Sequence, residues 1–309
     1  METSLSKQEI IRTIQLETLN NLKELDRICK KYNIQYFLVY GSLLGAVRHK
    51  GFIPWDDDLD IGMMREEYEK LCSIPAEEWD ENTIFVQGSD SAEYHDKIFG
   101  RIYRKKSKIQ SARDIHEWKS VVNGKAFYTK LMCDIYVYDY APDDDYEYQK
   151  VREATRKLAR KYKPLKFKAR FTGGIKGGIK TVYRNINGYC FRMRYKEPWV
   201  ELCNQYNTIA ASKEKTKRIC NYPSDTTLLP SEDYLPLTEL QFEDMIVPVP
   251  NNYRAILKKE YGNYMDFPPE NERYHIQFIY ADLGNGTTFI IEPIPGSLGE
   301  KKETNEVIE

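Results

Sequence analysis

The chain has 309 residues, of which 41% are hydrophobic and 30% charged, and its formal net charge is −1. This length and composition indicate a soluble, globular chain with one large core or a core that carries an inserted module. A run of about 18 apolar residues, which a bilayer-spanning helix needs, is absent, and the first residues lack the apolar segment of a secretion signal. We therefore predict a cytoplasmic protein. The six cysteines form no Cys-x-x-Cys pair, which argues against a zinc knuckle or a disulfide framework.

The first predicted elements are a helix and a buried strand. Ser6 and Glu9 have the spacing of a capping box, and apolar residues recur near helical spacing from Ile10 to Cys29. The aromatic and β-branched run at 34–40 predicts a buried strand that ends at Gly41.

The turn after this strand has the composition of a phosphate-binding turn. Gly41 lets a backbone approach a phosphate closely, and the Ser42 hydroxyl adds a hydrogen bond. The helical segment 43–48 would point its N-terminus at the anion. Strand-Gly-Ser-helix junctions also occur for packing reasons alone, so this pattern is informative only together with the residues that follow.

Four carboxylates crowd into five positions a few residues later, directly after the apolar approach 52–55. The acids are Asp56, Asp57, Asp58 and Asp60. On a strand, alternate side chains share a face, so we expect the acids at 56, 58 and 60 to point together while the apolar residues at 59 and 61 pack the opposite side. Carboxylates held this close repel one another unless a divalent cation screens them, and oxygen ligands favour Mg²⁺ or Mn²⁺. The plain alternative is a solvated acidic turn.

Segments 41–49 (GSLLGAVRH) and 51–60 (GFIPWDDDLD) closely resemble the signature of the LicD phosphocholine transferases, a family that includes the fukutin-type proteins. Segments 132–136 and 242–269 are also similar to this family, so the resemblance spans most of the chain. It implies a divergent nucleotidyltransferase fold.

The resemblance also implies roles for individual residues. Gly41 and Ser42 match the Gly-Ser motif of the fold, Asp58 and Asp60 match its metal-binding pair, and Asp134 matches its third carboxylate. Asp56 is expected to share the metal.

Asp134 is also notable without the resemblance, because it interrupts the strand-like apolar run 130–139. An unpaired carboxylate in such a run is costly, so a metal, a basic partner or a functional site must compensate it. A neighbouring strand that carries the acids would supply the metal. A salt bridge with an arginine is the alternative.

The remaining elements of the first 145 residues predict an α+β fold in which helices flank a mixed sheet. Residues 65–74 read as a helix, and residues 83–87, 97–104 and 126–138 read as strands. Lys97 and Arg101 share a strand face and could neutralise a diphosphate. A solvent-facing edge strand explains them equally well.

Segment 150–196 carries sixteen Lys or Arg against the single acid Glu153, so the charge of the chain is segregated. Aromatic and aliphatic residues are interleaved with these charges. We predict a basic, mostly helical insertion that contacts an anionic membrane peripherally at the inner face of the cell membrane, or a polyanionic acceptor. A solvated helical excursion is the plain alternative. Segment 150–196 contains no recognised nucleic-acid motif, so nucleic acid is not expected as a partner.

The sequence divides into four predicted parts. Residues 1–145 form the nucleotidyltransferase-like core, 146–215 the basic insertion, 216–295 a C-terminal part that packs back on the core, and 296–309 a disordered tail. In the third part, 253–261 reads as a helix. Aromatic residues there could accept a quaternary ammonium group, although packing is the default explanation for any single ring.

By the resemblance, the predicted reaction moves a phosphoryl-alcohol group from a CDP-alcohol, with phosphocholine the first choice, to a sugar hydroxyl of a glycan or lipid-linked glycan precursor. Asp58 and Asp60 would hold Mg²⁺ or Mn²⁺ on the diphosphate, and Asp134 would complete the metal site or accept a proton. Arg48 would stabilise the developing charge. His49 and Trp55 are candidate substrate contacts, although a single histidine in a surface turn is more often structural.

Two other functions stay open. The same metal site could transfer a nucleotidyl group from an NTP, because the choice depends on which phosphorus lies over the metal. An inactive relative that only binds glycan or lipid is the third possibility.

Overall fold

A computed structural model of the chain describes residues 5–88, 98–111, 121–122, 125–126, 130–166, 179, 182–183, 186, 198–211, 214–222, 228–270, 273 and 278–290. In this part of the chain, helices pack on a mixed sheet, which confirms the predicted α+β class. None of the helices within these ranges is both long enough and apolar enough to cross a bilayer.

The helices are α1 (Lys7–Tyr32), α2 (Tyr40–His49), α3 (Arg65–Cys72), α4 (Asp145–Lys166), α5 (Pro198–Ala210), α6 (Ser231–Tyr234) and α7 (Tyr253–Tyr261), with a short 3₁₀ turn at Ala76–Glu78. The first eight strands are β1 (Phe37–Leu38), β2 (Asp60–Met64), β3 (Thr83–Val86), β4 (Gly100–Arg104), β5 (Lys108–Ser111), β6 (Val121–Val122), β7 (Lys125–Ala126) and β8 (Met132–Ala141). The others are β9 (Arg218–Cys220), β10 (Leu229–Pro230), β11 (Thr238–Phe242), β12 (Met245–Val249), β13 (Phe278–Asp282) and β14 (Thr288–Ile290).

The central sheet has the order β1-β2-β8-β4-β3, and β9 and β10 extend it from the far end of β8. The β2–β8 pair is parallel and the other pairs are antiparallel. The parallel register places Asp60 directly beside Asp134, although the two residues are far apart in the sequence. The sheet therefore brings Asp134 together with the acidic segment that ends at Asp60.

Helix α1 covers one face of this sheet and packs on β4 and β8. The predicted capping box is confirmed, because the Ser6 hydroxyl accepts the Glu9 N–H while the Glu9 carboxylate accepts the Ser6 N–H. Leu22, Leu25 and Ile28 recur at helical spacing and are fully buried. The sequence pattern thus gives the helix and its buried face correctly.

Several predicted strand boundaries were wrong, including those of the strand predicted at 126–138, which begins at Met132 and ends at Ala141. The strand predicted at 34–40 is reduced to Phe37–Leu38, and helix α2 begins at Tyr40, so Gly41 lies in the first turn of a helix and not at the end of a strand. The predicted strand 97–104 is described from Gly100 to Arg104. Hydrophobicity alone does not tell a buried strand from the buried first turn of a helix.

Several predictions concern residues outside the described ranges. Lys97 is one of them, and so is most of the basic segment 150–196, of which helix α4 is described to Lys166. The four-part division of the chain stays a prediction. Within the described ranges, β9 pairs with β8 and β13 pairs with β5, so C-terminal strands join sheets that N-terminal strands begin.

Candidate active site

The N-terminus of helix α2 meets the acidic segment. The residue before the helix, Val39, is extended and offers no side-chain cap, so the positive end of the helix dipole is left to other groups. A Cβ atom added to Gly41 would lie 2.7 Å from Oδ2 of Asp56. Glycine at this position therefore allows the Asp56 carboxylate to lie directly against the first turn of α2.

Ser42 connects this helix to β2. It is buried, and its hydroxyl oxygen accepts the backbone N–H of Asp60 at 2.8 Å. This hydrogen bond fixes the entry of β2 relative to α2. The predicted hydrogen bond from Ser42 to a phosphate stays a prediction.

The acids at 56–58 do not lie on a strand, contrary to the sequence prediction, because β2 begins only at Asp60. They form a loop in which carboxylate oxygens of Asp56, Asp57 and Asp58 lie within 4.8 Å of one another. Leu59 and Ile61 are buried as predicted. A loop can bring three consecutive side chains together, whereas a strand would have turned Asp57 to the opposite face.

The acidic residues raise one another's proton affinity. Burial raises the pKa of Asp56 and of Asp60 well above the usual range of an aspartate, and the charge of Asp58 raises both further. For Asp60, the charge of Asp134 adds to this effect, while Arg101 and a hydrogen bond with Tyr136 oppose it. Carboxylate oxygens with this excess of negative charge are the donor set that suits a hard divalent cation such as Mg²⁺ or Mn²⁺.

Asp134 is held by an arginine. Nη2 of Arg101 donates to Oδ2 of Asp134 at 3.0 Å, and Nε of Arg101 donates to Oδ1. Both side chains are largely buried. Strand β4, which carries Arg101, lies between β8 and β3, so the edge-strand explanation of Arg101 was wrong and the ion-pair alternative for Asp134 is present.

Three residues that sequence reasoning missed hold the acidic loop in place. The buried Gln15 on α1 donates from Nε2 to the carbonyl oxygens of Ile53 and Asp56, at 2.9 and 2.7 Å. Glu243, in the turn between β11 and β12, accepts the N–H of Phe52 at 3.0 Å and binds Arg12 through both oxygens. No local sequence signal marks these residues, because each acts on a loop that is distant in the chain.

An aromatic and cationic cluster forms around Trp55, the residue that directly precedes the acids in the sequence. Trp55 and Phe267 have ring centroids 6.0 Å apart, and the guanidinium of Arg48 lies 5.8 and 5.0 Å from these two centroids. The guanidinium of Arg273 lies 5.5 and 5.3 Å from the same two rings. Two cations that share one pair of rings form a positively charged patch suited to an anion.

Arg48 and His49, which were predicted as functional residues, contact each other inside this cluster. Nε of Arg48 donates to Nε2 of His49 at 2.9 Å, and Nη1 of Arg48 donates to the carbonyl oxygens of Tyr264 and Asp266. Burial and the charge of Arg48 lower the pKa of His49. A neutral imidazole that accepts a hydrogen bond from Arg48 positions the guanidinium, and this agrees with the structural explanation of His49.

Chemically, this arrangement supports metal-assisted phosphoryl transfer. It combines a cluster of oxygen ligands, the N-terminus of a helix, and two guanidinium groups that share one pair of aromatic rings. A cavity of about 200 Å³ elsewhere in the described residues is lined by Trp79, Phe85 and Lys105, among others, and by none of the acids. It has no evident part in this chemistry.

Comparison with known proteins agrees with this interpretation. Residues 33–132 match the family model described as LicD/FKTN/FKRP, nucleotidyltransferase domain. The chain is 26% identical over 285 residues to the lipopolysaccharide cholinephosphotransferase LicD of Haemophilus influenzae, which covers 89% of this chain and 99% of that protein. A stretch of 34 residues is 53% identical to the ribitol 5-phosphate transferase FKRP of Homo sapiens and covers 11% of this chain and 7% of that protein. The resemblance predicted from the signature is thus confirmed: residues 33–132 are similar to the nucleotidyltransferase domain of the LicD family, and most of the chain is similar to a LicD protein at lower identity.

Proposed function

We propose that the protein is a metal-dependent phosphotransferase that moves a phosphoryl-alcohol group to a sugar hydroxyl of a cell-surface glycan precursor, such as a polysaccharide, teichoic acid or lipopolysaccharide precursor. Phosphocholine from CDP-choline is the proposed donor group, with CMP as the leaving group. The observation that carries the proposal is the acidic cluster at the N-terminus of α2, inside the matched family domain. The similarity to a cholinephosphotransferase over most of the chain supports the choice of alcohol.

The acids and the helix would act on the donor diphosphate. Asp56, Asp58 and Asp60 would hold Mg²⁺ or Mn²⁺, which when bound neutralises charge on the diphosphate oxygens. The first turn of α2 would orient a phosphate oxygen through its N–H groups. Asp58 is exposed and lies beside the other acids, so it is the ligand that a metal arriving from solvent would meet first.

The transfer step breaks one phosphorus–oxygen bond and forms another. The acceptor hydroxyl oxygen attacks the phosphorus that carries the alcohol, the bond to CMP breaks, and the hydroxyl proton passes to a base. Asp134 is a candidate for this base or for a further metal ligand, but Arg101 engages both of its oxygens. Each oxygen keeps a second lone pair, so Arg101 would hold the carboxylate in place in either role. Arg48 and Arg273 would stabilise negative charge on the phosphates or on the leaving CMP.

A release assay tests this proposal. Purified protein, Mg²⁺ or Mn²⁺, and a glycan acceptor extract are incubated with CDP-choline, CDP-ethanolamine, CDP-glycerol or CDP-ribitol, and CMP is measured. We expect metal-dependent CMP release from at least one donor, and none from Asp58→Asn. Pyrophosphate release from an NTP without CMP release would contradict the proposal and favour nucleotidyl transfer, which the description of the matched domain makes the second candidate.

We also propose that the basic segment contacts an anionic membrane surface. Ile179, Val182, Tyr183 and Ile186 are helical, stand at positions i, i+3, i+4 and i+7, and are all more than half exposed. They lie within the segment that holds sixteen basic residues and one acid. Exposed apolar residues at helical spacing in a basic segment fit the headgroup region of an anionic bilayer.

Vesicle sedimentation checks this surface. The protein is expected to sediment at low salt with vesicles that contain phosphatidylserine, to stay in solution with phosphatidylcholine alone, and to be released by high salt. Val182→Glu combined with Ile186→Glu should weaken sedimentation. Ile246→Glu is the matched control, because Ile246 is as exposed but lies on β12. Equal loss in both variants, or no sedimentation of the parent, would contradict the proposal.

A further inference from the structure

Glu260, in the last turn of α7, is a partly buried acid that the proposed chemistry does not use. Its Oε2 atom is buried and, within the described residues, has no hydrogen-bond partner. Burial raises the pKa of its carboxyl group to about 7, and no basic side chain contributes to this shift. A buried carboxylate without a compensating charge is costly to the fold. A cationic ligand would supply the charge that the described residues do not provide here.

Tyrosine side chains surround this carboxylate. Glu260 interacts electrostatically with Tyr138, Tyr234 and Tyr261. Tyr138 and Tyr234 are buried, with ring centroids 5.3 Å apart, whereas Tyr261 is 43% exposed. Buried tyrosines of β8 and α6 thus lie on one side of Glu260. On the other side, Tyr261 is partly exposed to solvent.

Tyr261 connects Glu260 with the acidic cluster. The hydroxyl of Tyr261 interacts electrostatically with Glu260 and also with Asp60, Asp56 and Tyr40. Helices α2 and α7 pack against each other, which places Tyr40, the first residue of α2, near the end of α7. Tyr261 is therefore the residue that links Glu260 with the acids, because the charges of both act on its hydroxyl.

Tyr40 is held in an unusual conformation at this junction. Its φ of +49° falls in the left-handed region, which costs energy for a residue other than glycine. Its ring packs edge-on against Tyr136 with centroids 5.0 Å apart, and Tyr136 hydrogen-bonds Asp60. Strain of this kind is retained where the surrounding structure fixes the side chain, and here the ring is fixed against Tyr136 beside Asp60.

A ligand that fits this group carries a positive charge and an apolar surface. Aromatic faces attract cations, and a buried carboxylate without a basic partner supplies the counter-charge. A phosphate would be repelled by Glu260. A neutral polyol would leave the charge of the carboxylate uncompensated.

We propose that Glu260, together with Tyr40 and Tyr261, forms the subsite that holds the ammonium end of the transferred phosphoryl-alcohol group. This assignment rests on the proposed function, and it adds the determinant that selects a cationic alcohol such as choline or ethanolamine over glycerol or ribitol. The aspartates would hold the phosphate end of the transferred group. Glu260 would hold its ammonium end, which the short carbon chain of the alcohol separates from the phosphate. Specificity for the alcohol then comes from a residue that takes no part in the transfer step.

The test is the donor preference of Glu260→Gln, which keeps the shape of the side chain and removes its charge. CMP release is measured with CDP-choline, CDP-ethanolamine, CDP-glycerol and CDP-ribitol. The value of kcat/KM for the two ammonium donors is expected to fall about 30-fold, mostly through KM, because a desolvated cation–π and carboxylate contact is lost. The values for the neutral donors should not fall. Glu232→Gln, which neutralises an exposed acid on α6, should change none of them.

A binding measurement separates failure of this subsite from failure of the proposed function. Calorimetry with phosphocholine and with tetramethylammonium should show binding to the parent and loss of binding in Glu260→Gln. Thermal melting at pH 8 is expected to show Glu260→Gln folded and at least as stable as the parent, because the cost of the buried charge is gone. An equal loss for all four donors, or unchanged binding of tetramethylammonium, would overturn the subsite. If the parent released no CMP from any donor, the proposed function would fail while the binding data still decided the subsite.

Discussion

Asp58→Asn is expected to abolish metal-dependent transfer and, in the absence of metal, to make the protein more stable than the parent. The loss of activity should be about 1,000-fold or more, since the charge stabilisation that a bound metal supplies is worth several kcal/mol. The gain in stability follows from the repulsion within the cluster, because the charge of Asp58 is the largest single charge effect on both Asp56 and Asp60.

The direction in which stability changes with pH follows from the raised pKa values of two aspartates in the cluster. The folded-state pKa values of Asp56 and Asp60 are raised, so between the unfolded value of about 3.9 and the raised values the folded state binds more protons. Stability of the metal-free parent therefore falls as pH rises through this window, and the cost is fully present above it. Asp58→Asn should make the fall smaller.

Chemical denaturation from pH 4 to pH 8, with and without Mg²⁺, measures both effects. Saturating Mg²⁺ should stabilise the parent, by about 2.7 kcal/mol at 100 times the dissociation constant, and should leave Asp58→Asn nearly unchanged. Asp144→Asn is a suitable control, because Asp144 is exposed and lies before α4, outside the acidic cluster. If Mg²⁺ stabilised the parent and Asp58→Asn equally, Asp58 would not be a metal ligand.

Arg101→Met is expected to destabilise the protein by about 3–5 kcal/mol, because it leaves the largely buried Asp134 without its partner and next to Asp60. The double variant Arg101→Met, Asp134→Leu should recover most of this loss, because it removes the uncompensated charge as well. It should not recover activity if Asp134 is a metal ligand or the base. Urea denaturation and CMP release on the same preparations measure the two outcomes.

Arg65 provides a matched control for this prediction. Nη2 of Arg65 donates to Oδ2 of Asp139 at 2.8 Å, and Asp139 lies on the same strand as Asp134 and is likewise buried. Arg65→Met should therefore cost a similar amount of stability while the folded fraction keeps its activity. A loss below about 1 kcal/mol in Arg101→Met would show that the ion pair behaves like an exposed one.

The sequence correctly predicted those features that depend on neighbouring residues. The capping box of α1, the buried face of that helix and the exact extent of α7 all follow from local periodicity and capping. The acidic cluster was also recognised, because four aspartates within five positions have no role in a hydrophobic core. The strand assignment for positions 56–59 was wrong, since the alternation of apolar and acidic residues in a loop imitates a strand.

The sequence by itself thus determined the α+β class, the family signature, and the residue types that would meet a phosphate and a metal. Only the tertiary structure decided which of these residues meet one another. Asp60 and Asp134 become neighbours through parallel strand register, and Arg101, Gln15 and Glu243 reach the site from other elements. Glu260 became a candidate only when its carboxylate was found next to buried tyrosines of two other elements, β8 and α6. Periodicity and capping act within a few residues, whereas burial and charge compensation depend on segments that folding brings together from distant parts of the chain.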